Sequence, residues 1–288
     1  MSMIASLFFR TSDWNFYYYD LIVVFLAILM GWSVSSFIHN CSHSNVKYPM
    51  LNRLIGEFCG LWVMYGFKNF ILIHHLHHKY SDQELDPVNP EGMSFFVFLS
   101  APMRYMIKTG SRYLEEKHGH HDDYKMIKFG HYFFFHISVV FRISFIFFVL
   151  GAKYFFIFYI VSLLSNIFIL AHINYVCHRD KRDGSVEIVN LNHNLYYKFA
   201  NFVTCGGYYH KNHHLNQNLF DPRTLDTKRA HEPLFSKGPS LQSNNLVFLK
   251  VKKRPIADYF NLSDVWGEKP EEKLNSSKKF YWKSILRL

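Results

Sequence analysis

Cysteine is scarce in this chain of 288 residues: Cys41, Cys59, Cys177 and Cys205 are the whole complement, and no two share a paired spacing. That pattern suggests neither a disulfide framework nor a thiolate zinc site, and fits free thiols on a reducing side. No glycine-rich dinucleotide fingerprint and no haem-domain motif interrupts the sequence, so the chain carries no redox cofactor domain of its own. There is no solenoid-period repeat, and no Pro/Ser/Gly-rich linker to set off a second globular domain. Basic residues are missing before the short apolar run within Met1–Arg10, and no small-residue cleavage site follows it, which predicts a retained segment and not a removed signal peptide. Acidic residues are few, 22 against 32 Lys and Arg, leaving a formal charge of +10.

What the chain does have is grease and histidine. Hydrophobic residues make up 49% and aromatics 19%, with 30 Phe and 19 Tyr. Such segments beside strongly cationic ones predict an all-α integral membrane protein with a polar, basic face. Leu21 to Ile38 is eighteen residues without a charge, and Tyr132 to Leu150 and Tyr154 to Leu170 are two further apolar runs separated by Gly151-Ala152-Lys153. Each suffices for a helical span, which needs about 20 residues. The expectation is three spans, at about 20–38, 132–150 and 154–172, the last two forming a hairpin. The stretch at 51–73 is weaker, interrupted by Arg53, Glu57 and Lys68, and reads as one amphipathic interfacial helix. A cap at 74–130 and 174–250 and a basic tail at 251–288 complete a single domain. Lys and Arg concentrate on the cap side, so the positive-inside tendency makes that face cytoplasmic.

The eighteen His residues cluster, and the clusters repeat one geometry. His39 and His43 are spaced i, i+4, as are Asn174 and His178; His74, His77, His78 and His210, His213, His214 are both spaced i, i+3, i+4. On helices these spacings put each set on one face. An interfacial helix at 51–73 leaves all four sets on one side of the bilayer, whereas a span there would separate His39 from His74. Nine histidines exceed the roughly four ligands of one zinc ion and suit two metals. All-nitrogen ligation is compatible with iron, copper, nickel or zinc.

The run His74-His75-Leu76-His77-His78-Lys79-Tyr80-Ser81-Asp82 through Asp86-Pro87, the element Asn174-x-x-x-His178, and Gly206-Gly207-Tyr208-Tyr209-His210-Lys211-Asn212-His213-His214 resemble the membrane fatty acid desaturases, a non-haem di-iron family, and most closely its acyl-CoA and acyl-lipid delta-9 type. The resemblance implies that His39, His43, His74, His77, His78, His178, His210, His213 and His214 bind two Fe ions, with Asn174 reaching one through a water; no catalytic side chain beyond these is implied. It implies O2 as co-substrate and removal of two hydrogens from adjacent methylenes of a fatty acyl chain carried on coenzyme A, a carrier protein or a lipid. Electrons would come from a separate cytochrome b5-like or ferredoxin-like donor. Three departures stand out: the first box is H-x-x-x-H, one residue shorter than usual in the delta-9 type; Ile73 stands where an acidic residue often precedes the second box; and Gly207 replaces a usual glutamate. The chain also has one amino-terminal span fewer than the family norm.

Other polar residues have plainer readings. His75 points away from its neighbours on a helix and suits packing or support of a neighbouring ligand. His118, His120 and His121, followed by Asp122 and Asp123, lack one-face spacing and read as a solvated loop. His172 is a candidate to orient a ligand, and His193 reads as surface. Arg142 sits mid-span, where a charge is costly, and either pairs within the bundle or snorkels. The basic face suits anionic lipid, an anionic acyl carrier or an acidic electron donor. No nucleic-acid module is present. Two other functions compete: an acyl or lipid hydroxylase using the same centre, and a membrane metal-binding or transport protein.

Overall fold

The computed structural model describes residues 15–63, 66–83, 86–99, 122–181 and 183–237. The expectations for the amino end, for His118, His120 and His121, and for the tail at 251–288 lie outside the described residues. Helix α1 spans Tyr18–Ser42. The Tyr17 amide donates to the Asp20 carboxylate at 2.7 Å, satisfying an orphan donor at the helix start. Asp20 is fully buried and ion-paired with Lys153 at 2.7 Å.

Helix α4 begins at Asp122 and is interrupted by Gly151, whose φ of 71° and ψ of 167° are non-helical. That backbone conformation is open to glycine and closed to nearly every other residue. A π-helical segment, Phe155–Ile160, then leads into α5, Val161–Cys177. Arg142, before Gly151, and Ser162, after it, both reach the same short stretch: Arg142 Nη1 donates to the Gly60 carbonyl at 3.2 Å, and Trp62 Nε1 donates to Ser162 Oγ at 2.7 Å. Twenty residues of straight helix would hold them about 30 Å apart, so the chain doubles back at Gly151, where the apolar pattern placed a hairpin. Among the described residues, two helical stretches are long and apolar enough to cross a membrane, Tyr18–Ser42 and His136–Cys177. Leu21, Ile22, Phe25, Phe141, Phe148 and Leu164 stand exposed on them, a distribution suited to lipid contact.

The expected single helix at 51–73 is two helices. Helix α2, Pro49–Cys59, starts with proline at its first turn and exposes Met50, Leu54 and Phe58. A 3₁₀ turn, Gly60–Trp62, breaks it, and α3, Gly66–Tyr80, starts from a glycine with φ of +72°. Arg142 settles into this break. Besides Gly60 it faces the Val63 carbonyl, and its Nε donates to the Ser138 carbonyl at 3.0 Å. It therefore pairs within the bundle, adding a charged donor to the Gly60 and Val63 carbonyls, which also accept from the Val63 and Gly66 amides at 3.4 and 3.0 Å.

The fold is mostly helical but not all-α. After α5 come β1 (His178–Asp180) and β2 (Val186–Ile188), then α6 (Leu195–Val203), α7 (His210–Leu215), α8 (Lys228–His231) and β3 (Leu234–Lys237). The three strands form an antiparallel sheet in the order β1-β2-β3, with His178 opposite Ile188. Ile169, Ile173, Cys177, Leu191, Ala200 and Tyr208 form a buried cluster joining α5 to α6. The four cysteines are free thiols.

Candidate metal centre

Four elements deliver the histidines. His39 lies in the last turn of α1 and His43 caps its carboxyl end; α3 carries His74, His77 and His78; α7 carries His210, His213 and His214. His178 departs from the helical-pair expectation: it is the C-cap of α5, with φ of −99° and ψ of 104°, and the first residue of β1.

The nine side chains converge as two groups, His39, His43, His74, His78 and His213 in one (position A), and His77, His178, His210 and His214 in the other (position B); within each, the ligand atoms lie within 4.8 Å of one another. In A, the Nε2 atoms of His43 and His74 are 2.7 Å apart, His74 and His78 3.0 Å, His78 and His213 2.9 Å, and His213 and His39 3.0 Å. In B, His178 and His210 are 3.0 Å apart, and His210 and His214 3.1 Å. Hydrogen bonding cannot account for this. A neutral Nε2 carries one hydrogen or one lone pair and so makes one good hydrogen bond, yet His74, His78 and His213 each make two of the four close contacts in A. A shared cation does account for it: ligands at about 2.1 Å and right angles lie about 3 Å from each other. Buried His77 Nε2, facing B, has no hydrogen-bond partner, which a metal at B would supply. The residues fit a two-metal centre.

Electrostatics agree. Burial, reinforced by neighbouring imidazoles, holds His43, His74, His78, His210, His213 and His214 well below the usual imidazole range, so they stay neutral with a lone pair available. His77 goes the other way: burial alone would lower it, but the charge and hydrogen bond of Asp86 raise it. The Asp86 carboxylate accepts from His77 Nδ1 at 2.9 Å, and Asp82 accepts from His178 Nδ1 at 2.8 Å. These bonds aim Nε2 inward. The sequence reading quoted Asp82 and Asp86 within the second box and gave them no task. Asp82 is in the left-handed region at φ +59°, a strain that aspartate tolerates and that turns the chain back toward His178 immediately after α3. Burial pushes its carboxyl up, but the bond and charge of His178, with a hydroxyl bond from Ser236 on β3, prevail and hold it below its ordinary value.

Asn174 donates its amide to the Leu170 carbonyl at 2.9 Å and lines a cavity with His210. His172 Nδ1 lies 2.5 Å from the Tyr208 hydroxyl. His75 belongs to neither group; it bonds the Ser42 carbonyl at 3.0 Å and its ring packs beside that of His43, 5.3 Å between centroids, while His193 is exposed.

The cavity runs between α1, α3 and α5. Val63, Phe70, Ile73, Phe98, Ile167, Leu170 and Ile173 line it, and His39, His74, His77 and His210 open onto it, so both positions face apolar space. Ile73 and Gly207, two of the departures noted above, are also in its wall. No curated protein and no solved structure matches the chain. The family of fatty acid desaturases does, over residues 17–241, more than half of the sequence. Two histidine groups meeting at an apolar cavity, carried on a sequence with that match, place this chain in the fatty acid desaturase family.

Proposed function

We propose that this protein inserts a C=C bond into a fatty acyl chain at a histidine-held di-iron centre. The observation that carries the reading is the opening of both histidine groups onto one apolar cavity. An acyl methylene has no acidic proton and no leaving group, so acid–base chemistry alone cannot remove its hydrogens. Two iron ions, held by the nine histidines, would supply O2 activation, for a balance of –CH2–CH2– plus O2, two electrons and two protons giving –CH=CH– plus two waters. The chain's own residues bind, orient and exclude water. Phe70, Ile73, Leu170 and Ile173 favour an alkyl chain and offer a bound water no partners. Asp82 and Asp86 fix the tautomer of two ligands, and Asn174, on the cavity wall, is placed to hold a water.

In the same reading α1 and the two arms of the hairpin are three spans: a continuous helix of 42 residues would be about 63 Å long, twice a bilayer core. The histidine face is cytoplasmic, where the basic cap meets an anionic acyl carrier and a separate electron donor. Transport fits less well, because the histidines gather at helix ends and do not line a path.

Expression in a desaturase-deficient host, followed by mass spectrometry of its acyl chains, tests this. Desaturation yields chains lighter by two hydrogens, and hydroxylation yields chains heavier by one oxygen. His77→Ala is expected to abolish the product; unchanged lipid unsaturation with His77→Ala would overturn the reading.

A further inference from the structure

The two metal positions are built from the same kind of ligand but are not equivalent. B has two of its four imidazoles backed by buried carboxylates: Asp86 on His77 and Asp82 on His178, both less than a tenth exposed. Neither carboxylate meets a Lys or Arg among the described residues. Backbone and hydroxyl donors hold them instead. The Asp82 amide donates to Asp86 Oδ2 and the Val88 amide to Asp86 Oδ1, each at 2.9 Å, while Ser236 Oγ donates to Asp82. At A, none of the five imidazoles meets a carboxylate among the described residues, and the Nδ1 atoms of His78 and His213 are buried without any partner.

Resting on the two-metal reading, we infer that Asp82 and Asp86 are positioning residues for B alone, making it the anionic, more oxidation-prone position, while A is a neutral five-imidazole position. The physical reason is Coulombic. A buried carboxylate one imidazole away from a metal is weakly screened, and its attraction grows with the metal's charge, so it favours the trivalent over the divalent ion. It also makes its imidazole a stronger donor. With ferric ions held at both positions, the carboxylates of Asp82 and Asp86 would favour the higher charge at B, so the first electron from an external reductant would be favoured at A.

Cobalt(II) titration of the full-length, metal-stripped protein in detergent, followed by its absorption bands, tests the assignment without turnover. Wild type is expected to take up two equivalents, and His178→Ala identifies the B step by removing it. Asp82→Asn and Asp86→Asn each keep an oxygen acceptor for Nδ1 while removing the charge; Asp82→Asn is the cleaner of the two, because in Asp86→Asn the Val88 amide also loses its acceptor. Each is expected to weaken the B step about 10- to 100-fold and to leave the A step within threefold, which also shows that the variant has folded. Ser236→Ala should weaken the same step by less. In iron-loaded protein reduced with dithionite by one electron per pair, the Mössbauer spectrum of wild type should contain equal ferrous and ferric signals, the ferric one being that perturbed in Asp82→Asn. Uptake of fewer than two equivalents by wild type would overturn the two-metal reading itself. Two equivalents with neither step altered by the Asp→Asn variants, or with both steps weakened alike, would overturn the inference and spare that reading.

Discussion

Gly31→Ala puts one methyl group where α1 and α5 nearly touch. A Cβ built at Gly31 lies 2.4 Å from the Ser162 carbonyl oxygen, 2.8 Å from the Asn166 amide nitrogen and 2.8 Å from Ser165 Cβ. Ordinary contact begins near 3.4 Å, and the two polar obstacles are backbone, so no side-chain rotation relieves the clash. The helices must separate by about 1 Å, the scale of shift that overpacking forces on a tight interface. Two interhelical bonds then fail, Asn166 Nδ2 to the Gly31 carbonyl and Ser165 Oγ to the Ile28 carbonyl, both 3.1 Å. Overpacking costs about 1–3 kcal/mol and each lost bond about 1 kcal/mol, against about 1 kcal/mol returned by alanine's helix propensity. The net loss is about 2–4 kcal/mol. Thermal unfolding in detergent should show a clearly lower midpoint for Gly31→Ala and a much smaller change for Leu26→Ala, on the exposed face of α1. His39 lies eight residues, about 12 Å, further along the same helix, so metal retention should fall as well. A midpoint equal to or above that of the parent would mean that propensity outweighs contact, and the close approach of α1 and α5 would be refuted.

Arg142→Met keeps the bulk of the side chain but removes its bonds to the Gly60 and Val63 carbonyls, which are left with the Val63 and Gly66 amides alone; a loss of about 1 kcal/mol for each bond removed should appear as earlier unfolding and faster proteolysis near residues 60–66, with little rescue by Arg142→Lys. Gly207→Leu projects a side chain past Thr204 Oγ1 and Ile173 Cδ1, 2.8 and 3.0 Å from its Cβ, into the cavity wall; turnover should drop and the range of acyl chains accepted should narrow while two metals remain bound. Metal-stripped protein should be acid-labile. For His43, His74, His78, His210, His213 and His214 the folded pKa lies well below the ordinary 6.5, so unfolding takes up protons as pH falls through 6.5 and stability declines below it; denaturant titrations at pH 7.5 and 5.5 giving equal midpoints would contradict this.

Much of the centre was legible because its information is local. Spacings of three and four residues place His74 with His78, and His210 with His214, on single turns whatever else the chain does, and helices α3 and α7 bear that out. The hairpin was legible for a similar reason: two uncharged runs flank a glycine that can take φ of +71°. Residues that act across distance were not. Asp82 and His178 are 96 positions apart, and nothing near either announces the bond. Ser236 is a further 58 positions on and reaches Asp82 only because three short strands pair, although segments of three or four residues give no periodicity to read. The break between α2 and α3 was hidden by continuous apolar patterning across Gly60–Trp62, and its partner Arg142 lies on another helix. Mid-span charge marked Arg142 as special but could not say which backbone it serves.

Helices α3 and α7 each carry histidines of both groups. On α3, His74 and His78 serve A while His77, between them, serves B; on α7, His213 serves A while His210 and His214 serve B. Adjacent positions on a helix differ by about 100° in azimuth and 1.5 Å in rise, so helical backbone geometry, and not loop conformation, would gauge the interval between ions bound at A and B. Two such helices meeting across the pair act as a double ruler. In the proposed di-iron centre, changes in oxidation state or substrate occupancy would then fall on imidazole tilt and bound solvent, with the helical turns holding the spacing.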